Sequence, residues 1–433
     1  MAFSSPTAVP AKCNIVFATF GCVGLAVILL STSHHGAGLS PDSVGYIATA
    51  RHLVSGAGFV IFDGTPLLEQ PPLFPAVLAA VDYVFRVDPV SSANVVNGVL
   101  FGLIIYLGGL LIYRYLAAFP VYAVAGTLAI LCSVPLIGIS VWALSEPLFI
   151  CLTLLSLIFA HDYHEKKDVK SLVLFSLSVA LATLTRYIGV TLILWGALSI
   201  LIYHRTRLSR IVVHLALFLS ISTIPLSAWL VRNYAVSHTL LGRRAPSEFT
   251  LLQNVASASE RLALWFLPGL LLIAIFACLT PKDSWRSLKN ILRQTRLLTF
   301  YVITYTAFLV ITATDTAYDQ INDRLLSPTY VPLILVLFIM AQVYLDRYRK
   351  HLSIAIVLTV IAVLIGAILL TYPLYADKLN TARSMLNGLG YNGQDWVDSE
   401  TVKYLHEHRV FEVGSSVYTN DQYAAYILDD LET

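Results

Sequence analysis

SANVVNGVLFGLIIYLGGLLIYR, residues 92–114, decides the class of the fold. The stretch carries one charge, Arg114, at its very end. At 1.5 Å rise per residue, about 20 apolar residues in a helix cross the roughly 30 Å hydrocarbon core of a bilayer. Working outward, ten further stretches read the same way: 14–32, 121–139, 146–160, 171–185, 188–203, 211–230, 262–279, 298–314, 328–345 and 352–371. The composition agrees. The 433 residues are 57% hydrophobic and 12% charged, with a mean hydropathy of +0.74. A soluble domain carries roughly 25% charged residues, so a chain of this length has too few charges to coat the soluble domains its length would suggest. The expected fold is an all-α polytopic membrane protein with about eleven transmembrane helices.

The stretches at 146–160, 171–185 and 188–203 are short. Arg186-Tyr187 interrupts 171–203, which as one helix would run to about 50 Å, so two helices are expected there. The first stretch, preceded by Lys12 and followed by Gly36-Ala37-Gly38, has a longer apolar core than the about 7–15 residues of a signal peptide and reads as a retained anchor.

Charge sets the orientation. With the N-terminus inside and alternation thereafter, inside segments hold 16 of the 28 Lys+Arg and only 5 of the 26 acids. The inside then carries +11 and the outside −9, as the positive-inside rule requires. The net charge of +2 gives no argument for nucleic acid. The five cysteines lie in or beside apolar runs and form neither a disulfide framework nor a Cys-x-x-Cys pair. Neither a 20–50-residue repeat nor a likeness between the two halves is visible.

Two units follow: a transmembrane domain over 1–371 and an external segment over 372–433. The first external loop, about 33–91, is long. In it Ser40 is an N-cap and Pro41 suits the first helical position. A helix from 41 to about 55 puts Val44, Ile47, Ala48 and Val54 on one side and Asp42, Tyr46 and Thr49 on the other, and Gly56 and Gly58 end it. A second apolar helix is expected over 75–86, after Gln70-Pro71-Pro72-Leu73-Phe74-Pro75. Both helices read as amphipathic elements lying on the membrane face. The tail reads as a small α/β segment: a helix from Trp396 to about His408, a strand at Ser416-Val417-Tyr418 and a helix from Asp421 to Leu428.

Asp42 opens the polar side of the first loop helix. An acid there complements the helix dipole, and the same dipole keeps it ionised, as a base requires. Glu146 stands in Trp142-Ala143-Leu144-Ser145-Glu146-Pro147, a short external loop where Ser145 also reads as an ordinary helix cap. Twelve Lys+Arg lie outside despite the positive-inside bias. Arg186 sits between two spans, Arg232 ends one, Arg243 and Arg244 occupy an external loop, and Arg324 precedes the tenth span. A single arginine there can simply snorkel to the headgroups, but as a set they point to phosphate. His161 and His164 sit inside, and no histidine pair has recognisable metal-ligand spacing. No phosphate-binding, dinucleotide or nucleophile-elbow motif occurs. No cofactor is called for, and a divalent metal stays open, since Asp42 and Glu146 are the evident external acids near the site.

Ser40-Pro41-Asp42-Ser43-Val44-Gly45-Tyr46 followed by Gln70-Pro71-Pro72-Leu73 resembles the first external loop of the GT-C glycosyltransferases. The branch it is most similar to comprises bacterial relatives of dolichyl-phosphate-mannose protein mannosyltransferases and the aminoarabinose transferases. Leu184-Thr185-Arg186-Tyr187, Arg232-Asn233-Tyr234 and Arg324-Leu325-Leu326-Ser327-Pro328 are similar to later landmarks, so the resemblance spans roughly 40–370. It implies that Asp42 is the catalytic base. Ser43 stands where the family often has a second acid, and Gln70 where aminoarabinose transferases carry lysine.

The expected activity is transfer of a sugar from a polyprenyl-phosphate donor to a lipid, glycan or protein acceptor on the outer face of a bacterial plasma membrane, with inversion. Asp42 and Glu146 are the expected catalytic acids, Arg186, Arg324, Arg243 and Arg244 the donor-phosphate ligands, and Tyr46, Glu69 and Gln70 the substrate contacts. Inside loops are too small for a nucleotide-sugar domain, which supports a lipid-linked donor. A transporter or flippase of a lipid-linked or anionic substrate is the alternative. It calls for essential charges near the bilayer midplane, whereas these lie at external span ends. A sensor with an external module would leave the first loop tolerant of substitution.

Overall fold

The computed structural model describes residues 9–117, 120–203, 208–278, 289–316, 319–348, 387–408 and 421–429. Helices dominate them: α1 Ala11–Ser31, α2 Pro41–Ser55, α3 Leu73–Phe85, α4 Pro89–Leu116, α5 Pro120–Leu131, α6 Val134–Ser140, α7 Glu146–Lys166, α8 Val169–Thr185, α9 Val190–Tyr203, α10 Leu208–Ser237, α11 Leu251–Cys278, α12 Arg296–Asp315, α13 Asp323–Leu326, α14 Tyr330–Tyr348, α15 Gln394–Val397, α16 Glu400–His408 and α17 Gln422–Asp429. Among the described residues β structure is confined to isolated bridges.

Six helices are long and apolar enough to cross a membrane, and a seventh span forms if α5 and α6, bent by 48°, count together. The chain is therefore a multi-pass membrane protein, with fewer full-length spans among the described residues than the eleven expected. Part of the shortfall has a physical cause. The stretches at 171–185 and 188–203 are separate short apolar helices, α8 and α9, split by Arg186 in extended conformation (φ −148°, ψ 136°) and a 3-10 turn at Tyr187–Gly189. The stretch at 352–371 lies outside the described residues, as does the strand expected at 416–418. The segment read as short at 146–160 is a full helix of 21 residues.

The bundle is closely packed at its start. α1 lies along α4, and a Cβ added to Gly21 would stand 2.8 Å from the Gly102 carbonyl oxygen. Only glycines permit that approach of two backbones. α7 packs on α8, and α10 on both α8 and α9. One apolar core runs through these helices and α12 around buried Phe17, Phe101, Phe149, Phe175, Trp195 and Tyr301.

The first loop follows its local signals. Ser40 and Ser43 form a reciprocal capping box, Pro41 takes the first turn, and Gly56 ends α2 with φ 86°. The expectation of a helix lying on the membrane surface is corrected for α2. Val44, Tyr46, Ile47, Ala48, Thr49 and Ala50 are all buried. The polar side of α2 turns inward because Tyr46 finds its partner, Ser145, inside the protein. α3 does keep an exposed side, with Tyr83, Val84 and Phe85 open and Phe74 and Leu78 packed under the loop.

Three remote segments meet just before Asp42 and Glu146. Gly38 donates its N–H to the Val141 carbonyl at 2.8 Å, and Ala143 donates back to Gly38 at 2.9 Å. On the other side Leu39 donates to Leu389 (3.1 Å), and Tyr391 donates to Leu39 (3.0 Å). Asn97 of α4, wholly buried, donates to the carbonyls of Trp142 and Leu144. These bonds satisfy irregular backbone that would otherwise be orphaned, and they fix the chain two to five residues before Asp42 and Glu146. α17 packs on α2, with Phe62 against Tyr423 and Tyr426 and Arg51 over the Tyr426 ring.

A candidate active site of paired acids and arginines

Asp42, Glu146, Arg186 and Arg324 come from four separate parts of the chain and meet at one place. Arg324 binds both acids: its Nη2 pairs with Asp42 Oδ2 and its Nε with Glu146 Oε1. Arg186 Nη1 lies 2.6 Å from the same Glu146 Oε1. Two cations thus face two anions.

Each partner is held by its element. Asp42 stands in the first turn of α2, behind the capping box. Glu146 opens α7. Ser145 holds the N-cap position of α7 but makes no cap bond with its side chain, contrary to the ordinary-cap reading. Its hydroxyl instead accepts from Arg186 Nη1 at 3.1 Å and shares a 3.0 Å hydrogen bond with the Tyr46 hydroxyl. Arg186 projects from the break between α8 and α9. Arg324 lies in the short turn α13, capped by Asn322. That turn is tied down by the Tyr305 hydroxyl, which donates to the Leu325 carbonyl (2.8 Å), and by the Trp265 indole, which donates to Asp323 (2.9 Å).

The two acids differ in setting. The side chain of Glu146 is 1% exposed, whereas that of Asp42 is 38% exposed. Glu146 Oε2 is buried and has no hydrogen-bond partner among the described residues. Asp42 Oδ1 accepts from Gln70 Nε2 at 2.9 Å. Burial pushes the Asp42 carboxyl up, but Arg324, by charge and hydrogen bond, then Arg186 and Gln70, outweigh it and hold the carboxyl below its ordinary value of 3.8. Burial, followed by the charge of Asp42, pushes the Tyr46 phenol up, so it stays a neutral hydrogen-bonding group.

Of the residues singled out in the sequence, Asp42, Tyr46, Gln70, Glu146, Arg186 and Arg324 lie together. Glu69, Arg243 and Arg244 lie to one side, at the surface. Arg244 Nη2 donates to the Glu69 carbonyl at 2.8 Å. Arg232 likewise braces the loop, donating to the carbonyls of Leu67 (2.8 Å) and Phe59 (2.9 Å) while lying over the Trp229 ring. The Tyr187 hydroxyl donates to Leu68 (2.8 Å) and accepts from Trp229 and Asn233. Ser145, Asn97, Tyr187 and Tyr305 were missed as site-building residues. Among the described residues no three His, Cys, Asp or Glu side chains form a metal-ligand group.

The bracing by Arg232 gives a first prediction. Arg232→Ala should destabilise the protein by about 2 kcal/mol, since hydrogen bonds from a charged donor are lost. Arg232→Lys should not rescue it, because one ammonium does not reproduce a forked donor stacked on an indole. Thermal melts in detergent and limited proteolysis across 59–69 check both.

With this geometry in view, the likeness to solved structures is informative. ArnT from Cupriavidus metallidurans bound to undecaprenyl phosphate matches over 92% of this chain and 73% of its own, at 17% identity and a TM-score of 0.55. The apo structure of the same ArnT matches over 77% of this chain, at 18% identity and a TM-score of 0.52. The chain shares its fold with this ArnT. It spans 59% of the length of the apo ArnT chain. A looser likeness, TM-score 0.43 at 15% identity, reaches the S. cerevisiae protein O-mannosyltransferase complex bound to its sugar donor, over 55% of this chain and 35% of that one. No protein-family model matches the chain, and neither does any curated protein sequence.

Proposed function

We propose that this GT-C chain is a membrane glycosyltransferase. It moves a sugar from a polyprenyl-phosphate donor to a hydroxyl acceptor on a lipid, glycan or protein, at the outer face of a bacterial plasma membrane. The observation that carries this reading is the cluster of Asp42, Arg324, Glu146 and Arg186 at the junction of the first loop with the spans. Its fold is shared with an ArnT structure bound to undecaprenyl phosphate.

The chemistry follows from the settings of the four groups. Asp42, open and ionised, takes the proton of the acceptor hydroxyl. The acceptor oxygen forms its bond at the anomeric carbon as the bond to the phosphate oxygen breaks, and one displacement inverts that carbon. Charge develops on the leaving lipid phosphate, and Arg186 and Arg324, both largely buried, stabilise it. Arginine suits this role because its planar fork matches phosphate oxygens. Glu146, almost wholly buried, is better suited to aiming the two arginines than to acting as a second base. Its unpartnered Oε2 leaves an acceptor for a hydroxyl or amino group of the donor sugar. Arg243 and Arg244 fit an outer role at the loop that flanks Glu69.

Purified protein in a membrane mimetic, given a panel of polyprenyl-phosphate sugars and a membrane extract as acceptor source, should release free polyprenyl phosphate. No release across the panel, with the extract present and the protein folded, overturns the transferase reading in favour of a transporter of a lipid-linked or anionic substrate.

A further inference from the structure

Gly45 sits inside α2, where glycine is unfavourable relative to alanine because it gives up the most backbone freedom on folding. What it provides is room. A Cβ at position 45 would stand 3.2 Å from Gln70 Oε1, close enough that the amide would have to move by a few tenths of an ångström. The amide so admitted donates from Nε2 to Asp42 Oδ1 at 2.9 Å. Arg324 occupies the other oxygen, Oδ2.

The two partners differ in kind. Arg324 is a cation that an incoming phosphate competes for. Gln70 is uncharged, offers nothing an anion would pull away with comparable force, and stays on Oδ1 when Arg324 shifts towards the donor. We propose that Gln70 is the positioning residue for the base: it holds Asp42 by Oδ1, leaves Oδ2 as the atom that takes the acceptor proton, and depends on Gly45 for its place. This rests on the transferase reading and assigns the step atom by atom. The proton passes from the acceptor hydroxyl to Asp42 Oδ2, the hydroxyl oxygen's electron pair forms the new glycosidic bond, and the pair of the broken bond goes to the lipid phosphate.

The charged and titratable groups around Asp42 are Arg324 from α13, Arg186 from the link between α8 and α9, Tyr46 on its own helix, Tyr423 from α17, and Glu146 beyond the arginines. Gln70 adds an uncharged donor to this set, so its loss moves the carboxyl back towards its ordinary value.

The test uses the full chain in detergent and two variants, Gln70→Leu and Gly45→Ala. The protonated fraction of Asp42 is read without donor, from the pH dependence of its labelling by a water-soluble carbodiimide and an amine, located by mass spectrometry. Gln70→Leu should raise the labelling midpoint by about one pH unit. Gly45→Ala should raise it by less, in the same direction, with no loss of melting temperature, since alanine favours the helix. In the transfer assay, the acid limb of kcat/KM, which reports the free enzyme, should move up with the labelling midpoint. kcat should fall about tenfold in Gln70→Leu while the donor KM stays within twofold. Unmoved midpoints in both variants overturn the proposal. So does a rise in donor KM alone, which would make Gln70 a substrate contact. A moved midpoint in a protein that turns over no lipid-phosphate sugar sinks the transferase reading instead, and keeps Gln70 as the residue that holds Asp42.

Discussion

Asp42→Asn should keep the fold and the binding of polyprenyl phosphate and lose transfer by about 10³-fold, within the range general-base removal produces. The substitution is isosteric, so the Gln70 amide keeps an acceptor, and Arg324 keeps Glu146. The two arginines proposed to bind the phosphate therefore stay in place while the proposed proton acceptor is gone. Release of lipid phosphate and retention of bound polyprenyl phosphate, measured side by side with melting, separate these effects. Turnover that survives would assign the base to another group, and Glu146 is then the acid to change. The pH profile carries the same assignment. Because Asp42 is held below its ordinary 3.8 in the free protein, kcat/KM should stay flat through neutral pH and fall only in acid. Arg324→Met removes the largest stabilising charge and should move that acid limb upward. Stability follows the same sign. A carboxyl depressed in the folded state contributes above its unfolded value, and that contribution is lost as pH falls through the folded one.

What was legible in the sequence was local. The bounds of α2 follow from Ser40, Pro41 and Gly56, each acting within a turn of its own position. The break at Arg186 follows from an apolar run too long for one span. What was illegible depends on residues far apart along the chain. Nothing near Ser145 distinguishes a cap hydroxyl from one shared by Tyr46 and Arg186, which lie 99 and 41 residues away. The inward turn of the polar side of α2 was invisible for the same reason. A polar stripe reads as facing water unless its buried partner is known. Arg243 and Arg244 show the converse limit. Charge is a property of the sequence, but the Glu69 carbonyl that holds Arg244 is 175 residues away. The resemblance bridged part of that distance by ordering Asp42, Arg186 and Arg324 along a known fold. It offered no partner for Gln70, because lysine holds that position in the aminoarabinose transferases.

Glu146→Gln should destabilise the protein by about 3 kcal/mol, the low end of the cost of breaking a buried ion pair by removing one partner. Two guanidinium groups converge on Glu146 Oε1, and the carboxylate is 1% exposed. An amide of the same shape keeps one acceptor oxygen but turns an NH₂ or a neutral oxygen towards two cations. Arg186, whose side chain is only 18% exposed, has no other carboxylate among its described hydrogen-bond and ion-pair partners, while Arg324 still has Asp42. The excess positive charge should therefore be relieved by a second change. Glu146→Gln with Arg186→Gln should melt above Glu146→Gln alone, since residues sharing one network couple and their costs do not add. Transfer should not return in the double variant, because one of the two cations facing the leaving phosphate is then missing. Recovered stability without recovered activity is the result that separates the two tasks of Glu146, balancing the buried cations and aiming them. If the double variant melts no higher than the single one, the cluster is not held together by charge, and the burial of Glu146 needs another cause.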